Sequence, residues 1–273
     1  MMDTTIYYFS ATGNSLQVAK TMATMQEAEL LSMPTHRGVV CNSKMIGFVF
    51  PTYFWGVPRT VAEFIKELHV EEDRPYIFAV TTYGALHGGV LGYVSRLLNA
   101  RGLNLNYGLP IQAVANFIEE YNPKVGSAKK NLANAEQLAR KAAKEIMEGK
   151  QNGPFRYSIW DKLFYKIYTG TKINHDEGFH VNDTCVQCGI CQKICPNQNI
   201  VLESGSLKFQ HRCEHCVACI NCCPQNAIQW KRATKKRIRY KNPGISMKEI
   251  IAGMVNMDFN DLKNKLKILK SIA

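Results

Sequence analysis

Cys185-Val-Gln-Cys188-Gly-Ile-Cys191-Gln-Lys-Ile-Cys195-Pro196 is answered 28 positions later by Cys213-Glu-His-Cys216-Val-Ala-Cys219-Ile-Asn-Cys222-Cys223-Pro224. Eight of the chain's ten cysteines fall in these two copies of one pattern. Three thiols separated by two residues can wrap a short loop around one inorganic core. The fourth lies too far along to close the same ring, so it crosses to the other copy. Pro196 and Pro224 hold the chain extended as it leaves each loop.

This is the bacterial spacing for a pair of [4Fe–4S] clusters. The expected ligand sets are Cys185, Cys188, Cys191 with Cys223, and Cys213, Cys216, Cys219 with Cys195. Two other chemistries compete. Zinc also takes four cysteines, but its sites usually pair two C-x-x-C arms. Disulfides need an oxidising compartment, and the N-terminus has neither a basic segment nor an apolar core of the kind that directs secretion.

The copies match beyond the cysteines, Ile200 following Cys195 as Ile228 follows Cys223. Such a duplication makes one small core of two halves that cannot bury their apolar faces alone. Cys222 aligns with Ile194 and reads as a packing residue, while His211 and His215 read as exposed loop histidines. The stretch resembles the two-cluster bacterial ferredoxins over residues 178–230, which implies a small α+β domain.

The chain of 273 residues is long enough for one large or two ordinary domains. It has no apolar run of membrane-spanning length. Cysteines arranged for iron imply a reducing cytoplasm, at low oxygen. Residues 1–125 carry 9 Lys and Arg against 10 Asp and Glu, whereas residues 126–273 carry 25 against 12. The basic half is therefore the cysteine half. A nucleic-acid partner is one reading of that balance. An acidic redox protein, such as a ferredoxin or an oxidoreductase, steered by charge, suits the cysteines better, and no nucleic acid is expected.

At the N-terminus, Thr4–Phe9 is a β-branched and aromatic run suited to a strand buried on both faces. It runs into Ser10, Thr12, Gly13, Asn14 and Ser15, and then a helical pattern begins. Hydroxyls and free backbone N–H groups at a helix start make an anion site. The loop lacks the Walker lysine and the G-x-G-x-x-G glycines. A capped turn is the simpler reading, but the loop looks like the phosphate loop of flavodoxins, which implies FMN. A second strand run, Lys44–Phe50, leads to Pro51, Thr52, Tyr53, Phe54, Trp55 and Gly56. Tyr53 and Trp55 are the candidates for stacking on a flavin ring, with Phe54 turned into the core. A third run, Tyr76–Val80, leads to Thr82, Tyr83, Gly84, Gly88 and Gly89, where small residues permit close backbone approach.

With weak strands at Glu29–Met33 and Leu103–Ala113, five strands are expected in the order 2-1-3-4-5. A closing helix is expected over 126–150, and Cys41 should be buried. Residues 1–150 resemble flavodoxins. Asn116–Pro123 has no assignment.

Residues 151–177 form a bridge crowded with Phe155, Tyr157, Trp160, Phe164, Tyr165 and Tyr168, expected to pack between the two domains. Residues 231–273 form a basic arm, Lys231–Lys241, and then two short helical patterns, one at Ile250–Val255 and one carrying Leu262, Leu266 and Leu269. Peripheral membrane contact is the most this tail suggests.

The combination resembles the flavodoxin–ferredoxin fusion proteins. The resemblance implies an α/β protein, a flavodoxin-like parallel sheet with a smaller ferredoxin-type domain, carrying FMN and two [4Fe–4S] clusters and moving electrons between them. No set of bond-making residues stands out. A rival is an FMN-dependent reductase of a quinone, nitro compound or metal complex, with a pocket shaped by Tyr83, His87 and Tyr121. A cluster-based sensor using the basic arm on DNA is a third reading.

Overall fold

The computed structural model describes residues 3–255. Five strands, β1 (Thr4–Tyr8), β2 (Glu29–Ser32), β3 (Met45–Pro51), β4 (Tyr76–Tyr83) and β5 (Leu105–Gln112), form one sheet in the order β2-β1-β3-β4-β5. Every pairing in it is parallel. Parallel strands need helical crossovers, and these cover both faces, which is why β1, β3 and β4 are buried along nearly their whole length. On one face α1 (Asn14–Gln26) and α4 (Ala128–Met147) lay Val18, Met22, Ala139 and Ala143 against Ile6, Val49, Phe78 and Val80. On the other, α2 (Arg59–Glu67) and α3 (Val90–Asn99) lay Phe64, Ile65 and Leu98 against Tyr7, Phe48 and Phe50. This is the flavodoxin-like order expected from the sequence. Cys41 is buried, in a two-residue parallel pair, Val40–Cys41 with His69–Val70, beside the sheet.

The cysteine-rich unit is small and built twice. Strand β6 (Phe179–Val181) pairs antiparallel with β9 (Ile228–Trp230), and β7 (Ile200–Glu203) with β8 (Ser206–Phe209). Two short helices, α6 (Ile190–Lys193) and α7 (Ala218–Cys222), begin 28 residues apart, one in each copy. Ile200, Ile228, Val217 and Ile220 make the shared core. Cys222 packs beside Ile194, as the alignment of the copies implied.

The two units are not beads on a linker. Ala11 and Leu16 from the sheet unit share one apolar cluster with Ile190, Ile194 and Ala218 of the cysteine unit and with Ile245, Ile250 and Ile251. Asn116–Pro123, unassigned from sequence, is a second seam: Ile118 is fully buried in the cysteine unit's core, and its carbonyl accepts from Arg237 Nη1 at 2.6 Å.

Two expectations need correction. The bridge helix α5 (Ile159–Lys172) turns only some of its aromatics inward. Tyr157 stacks on Tyr93, Tyr165 covers Gly56 and donates to the Val57 carbonyl at 2.5 Å, and Tyr168 packs on Phe54. Trp160 and Phe164 face outward instead. Tyrosines can occupy a half-wet seam because their hydroxyls find partners there, and those side chains set which way the helix rolls. The basic arm is also only partly an arm. Lys231, Arg232, Lys235 and Lys236 are exposed, but Thr234 and Tyr240 are buried and Arg239 donates to Gln229 Oε1 at 2.9 Å. It straps the two units together. Beyond it α8 (Met247–Ala252) docks through a Lys20–Glu249 ion pair of 2.5 Å. The leucine pattern at Leu262–Leu269 lies outside the described residues.

Candidate functional site: a cleft against the cysteine unit

Because all five strands run the same way, their carboxyl ends open along one edge, where ligands of open α/β sheets bind. A cleft of about 230 Å³ lies there. Its walls are Ser10, Thr12, Asn14 and Ser15 after β1, Pro51–Trp55 after β3, Thr82–Leu86 after β4 and Ala113–Phe117 after β5. Twelve of the sixteen residues expected to hold a flavin line it. The other four, Gly13, Gly56, Gly88 and Gly89, do not. They shape the walls from behind. Gly13 turns the loop at φ 98°, its N–H donating to Ser10 Oγ at 3.1 Å, while a side chain on Gly56 would strike Tyr165, on Gly88 Trp55, and on Gly89 Asp161.

The floor of the cleft is the first turn of α1 and a set of hydroxyls. Ser15 Oγ lies 2.8 Å from Thr82 Oγ1, Thr52 Oγ1 lies 2.8 Å from Thr81 Oγ1, and Asn116 Nδ2 donates to Thr12 Oγ1. Uncharged donors at a helix N-terminus suit a phosphate monoester without a lysine. Asn14 is the exception: its amide is spent on the Val114 carbonyl, Tyr240 and Asn242, so it fastens the loop to the strap.

The aromatic wall differs from expectation. Residues Tyr53–Gly56 close a tight turn with two backbone hydrogen bonds of 3.1 and 2.9 Å, and Phe54 and Trp55 both take positive φ, 51° and 61°. Bulky residues pay for that conformation, and such outliers cluster at ligand clamps. Tyr53 packs edge-on to buried Phe9, whereas Phe54, expected inside, lies 4.2 Å from the Tyr168 ring and meets Phe117. The two consecutive positive φ values turn the Phe54 ring toward Tyr168 and Phe117 rather than into the core of the sheet. Trp55 stays at the rim, with 37% of its surface exposed. Burial pushes the phenols of Tyr53 and Tyr121 up, so they serve as neutral rings and donors rather than acids.

The cysteine unit supplies the remaining wall: His215, Cys216 and Val217. His215 is 1% exposed, not a surface histidine. Its Nδ1 lies 2.8 Å from Glu119 Oε1 and its Nε2 lies 2.7 Å from the His175 carbonyl. Glu119 comes from the segment that sequence reading left blank, so nothing local to His215 could reveal the burial. His211 is exposed as expected, 2.6 Å from Asp176 Oδ1. His87 stands outside the cleft lining, whereas Tyr83 and Tyr121 belong to it.

The eight repeated cysteines gather around two small apolar cavities. One is lined by Cys185, Cys188, Cys191 and Cys223, the other by Cys195, Cys213, Cys216 and Cys219. Each combines three thiols of one copy with the fourth of the other, the crossing inferred from the spacing. Backbone N–H groups point at the sulfurs, Asn199 to Cys195 at 3.1 Å, His215 to Cys213 at 3.3 Å and Ala227 to Cys223 at 3.2 Å. Burial pushes the Cys191 thiol up to about 12 and those of Cys216 and Cys219 well above the ordinary value. Such thiols are poor nucleophiles but can lose their protons to a bound metal. Four thiols converging on each apolar cavity make a donor set that an iron–sulfur core takes, as zinc also does. Cys216 lines both the second cavity and the cleft.

No family model matches the chain. Over 55 residues it is 36% identical to the pyruvate synthase subunit PorD of Thermotoga maritima, a match covering 19% of this chain and 56% of that protein. The chain thus spans little more than half the length of that relative. Among solved structures it is similar to an azoreductase from Bacillus anthracis (11% identity, TM-score 0.38, 53% of this chain and 100% of that one). Another is a Streptococcus pneumoniae TIGR4 flavodoxin (13%, 0.35, 52% and 98%). A putative flavoprotein from Bacteroides uniformis is a third (14%, 0.34, 53% and 97%).

Proposed function

We propose that the chain is an electron-transfer protein that holds FMN in the cleft and two [4Fe–4S] clusters in the cysteine cavities. The observation that supports the reading is Cys216, which lines both the second cysteine cavity and the cleft, so a cluster held in the one would adjoin a flavin held in the other. A flavin supplies the capacity to hold two electrons, and a cluster passes one at a time. The chain's own residues do the rest. The hydroxyl floor and the α1 N-terminus would hold the phosphate, Tyr53 and Trp55 would flank the ring, and His215, fixed by Glu119, would keep water from the wall beside Cys216. The set of Cys195, Cys213, Cys216 and Cys219 would be the inner cluster. The set led by Cys185 would be the outer one, open to a partner. The likeness to PorD, by its name a subunit of a pyruvate synthase, and the cysteine count are compatible with an iron–sulfur reading.

The exposed cations Lys231, Arg232, Lys235 and Lys236 suit an acidic redox protein docking by electrostatic steering. A reductase of a small molecule is the second reading, favoured by the exposed rim residues Trp55, Leu86 and Tyr121 around an open cleft mouth. Anaerobic purification tests the cofactors: about eight iron, about eight sulfide and about one FMN per chain are expected from two four-iron clusters and one flavin. A colourless preparation or one loaded with zinc would refute the reading. Steady turnover of a quinone or nitro compound that outcompetes protein acceptors would shift it to the reductase.

A further inference from the structure

We propose that the outward face of α5 docks the protein on an anionic lipid bilayer. Ile159, Trp160, Leu163, Phe164 and Ile167 are 71, 65, 44, 54 and 56% exposed. At about 100° per residue they fall on one arc of roughly 140°. The residues that hold the helix to the protein lie on the opposite arc. Asp161 sits against Gly89, Tyr165 over Gly56, Tyr168 on Phe54, and Lys172 pairs with Glu119 at 3.4 Å. A helix of a soluble domain normally buries its most apolar stripe and presents the polar one; α5 does the reverse. Five large apolar side chains on neighbouring turns exceed the scattered exposed residues that need no explanation.

Charge selects the occupant. Lys162 and Lys166 are exposed along one border of the stripe, and the chain carries a net charge of +12. A second copy would bring like charge against like, whereas anionic headgroups would receive both lysines while the rings enter the acyl boundary. Among the described residues no helix is long and apolar enough to cross a membrane, so the contact would be interfacial. The stripe meets the cleft rim where the Phe164 ring lies 6.3 Å from Trp55. Docking therefore sets the mouth of the cleft beside the bilayer. The inference rests on the helix and stands whether or not the cofactor reading holds.

The test is flotation of the purified full chain with vesicles of phosphatidylcholine alone and of phosphatidylcholine mixed with phosphatidylglycerol. The wild-type chain should float with the anionic vesicles and shift its tryptophan emission to the blue. Trp160→Gln with Phe164→Gln should weaken partitioning about tenfold or more per side chain. Lys162→Glu with Lys166→Glu should weaken it on anionic vesicles. All four positions are exposed, and unchanged absorption spectra and urea midpoints would show that the variants fold. Failure to float, or flotation undiminished by the Trp160 and Phe164 substitutions, would overturn the proposal. So would a dimer, seen by ultracentrifugation without vesicles, that the same substitutions dissolve.

Discussion

Glu214, one residue from Cys213, should be the strongest single fastener between the two units. It is fully buried, and its carboxylate accepts from the Arg59 and Thr60 backbone N–H groups at 2.6 and 3.2 Å, from Thr60 Oγ1 at 2.9 Å and from Asn197 Nδ2 at 3.3 Å. It thereby caps the first turn of α2 from the other unit. Burial pushes the carboxyl up, and the Arg59 guanidinium, 3.8 Å away, with the hydrogen bonds from Thr60, pulls it back. Glu214→Ala would leave two backbone donors and a hydroxyl without their acceptor in a closed site. Hydrogen bonds to a charged acceptor contribute about 1.5–3 kcal/mol each, but their loss is not additive and the burial cost of the charge is recovered. A net loss of roughly 3–5 kcal/mol is expected. Glu63, on the same helix and paired with Arg37 at 3.3 Å in solvent, is the control, and Glu63→Ala should cost about 0–1 kcal/mol. Anaerobic urea unfolding measures both. A Glu214→Ala loss no larger than that of Glu63→Ala would refute the reasoning that one carboxylate joins the units.

Other expectations follow from single contacts. Gly13→Ala should weaken FMN binding about tenfold, read by fluorescence titration of the deflavinated protein, because φ 98° strains any side chain and the new Cβ would sit 3.0 Å from Asn242 and Ile245. Cys222→Ala should leave the iron content unchanged, whereas Cys219→Ala should reduce it, since Cys222 belongs to the apolar cluster around Ile194. Burial pulls the Arg239 guanidinium down while Cys223 and Cys219 favour its charge, and a cation beside them should raise the cluster potentials. Arg239→Gln should lower them by on the order of tens of millivolts in an anaerobic redox titration. Lys20 and Ser246 hold the Glu249 carboxyl at about 2, below its usual 4.5. A depressed folded value stabilises above the unfolded one, so the docking of α8 should weaken as pH falls from about 4.5 toward 2. Solvent screening limits this to a fraction of about 1 kcal/mol, and Glu249→Gln should abolish the pH dependence of amide exchange in α8.

The sheet was legible because its central strands are buried on both faces and read as mostly apolar or β-branched runs, and the cysteine repeat because its spacing recurs 28 positions on. The loops at the strand ends could be picked out for the same reason: parallel strands bring their carboxyl ends to one edge. What stayed hidden was long-range. Glu119 and His215 meet across 96 positions, and only the pairing makes either buried. The direction of Phe54 depended on two consecutive positive φ values that no residue type at those positions announces. Trp160 and Phe164 were expected between the two domains because a free linker would be polar. The roll of α5 was instead set by where tyrosine hydroxyls found acceptors, as Tyr165 does at Val57 and Tyr168 at Glu120.

The most direct test of electron passage between the units is a sub-stoichiometric pulse of a one-electron reductant, delivered anaerobically to the loaded protein, with cluster and flavin absorption followed in time. Transfer within one molecule should appear as recovery of the cluster band matched by bleaching of the flavin band, at a rate independent of protein concentration. A rate that rises in proportion to concentration, or a flavin that stays oxidised while the clusters are reduced, would contradict the wiring of Cys216 to the cleft.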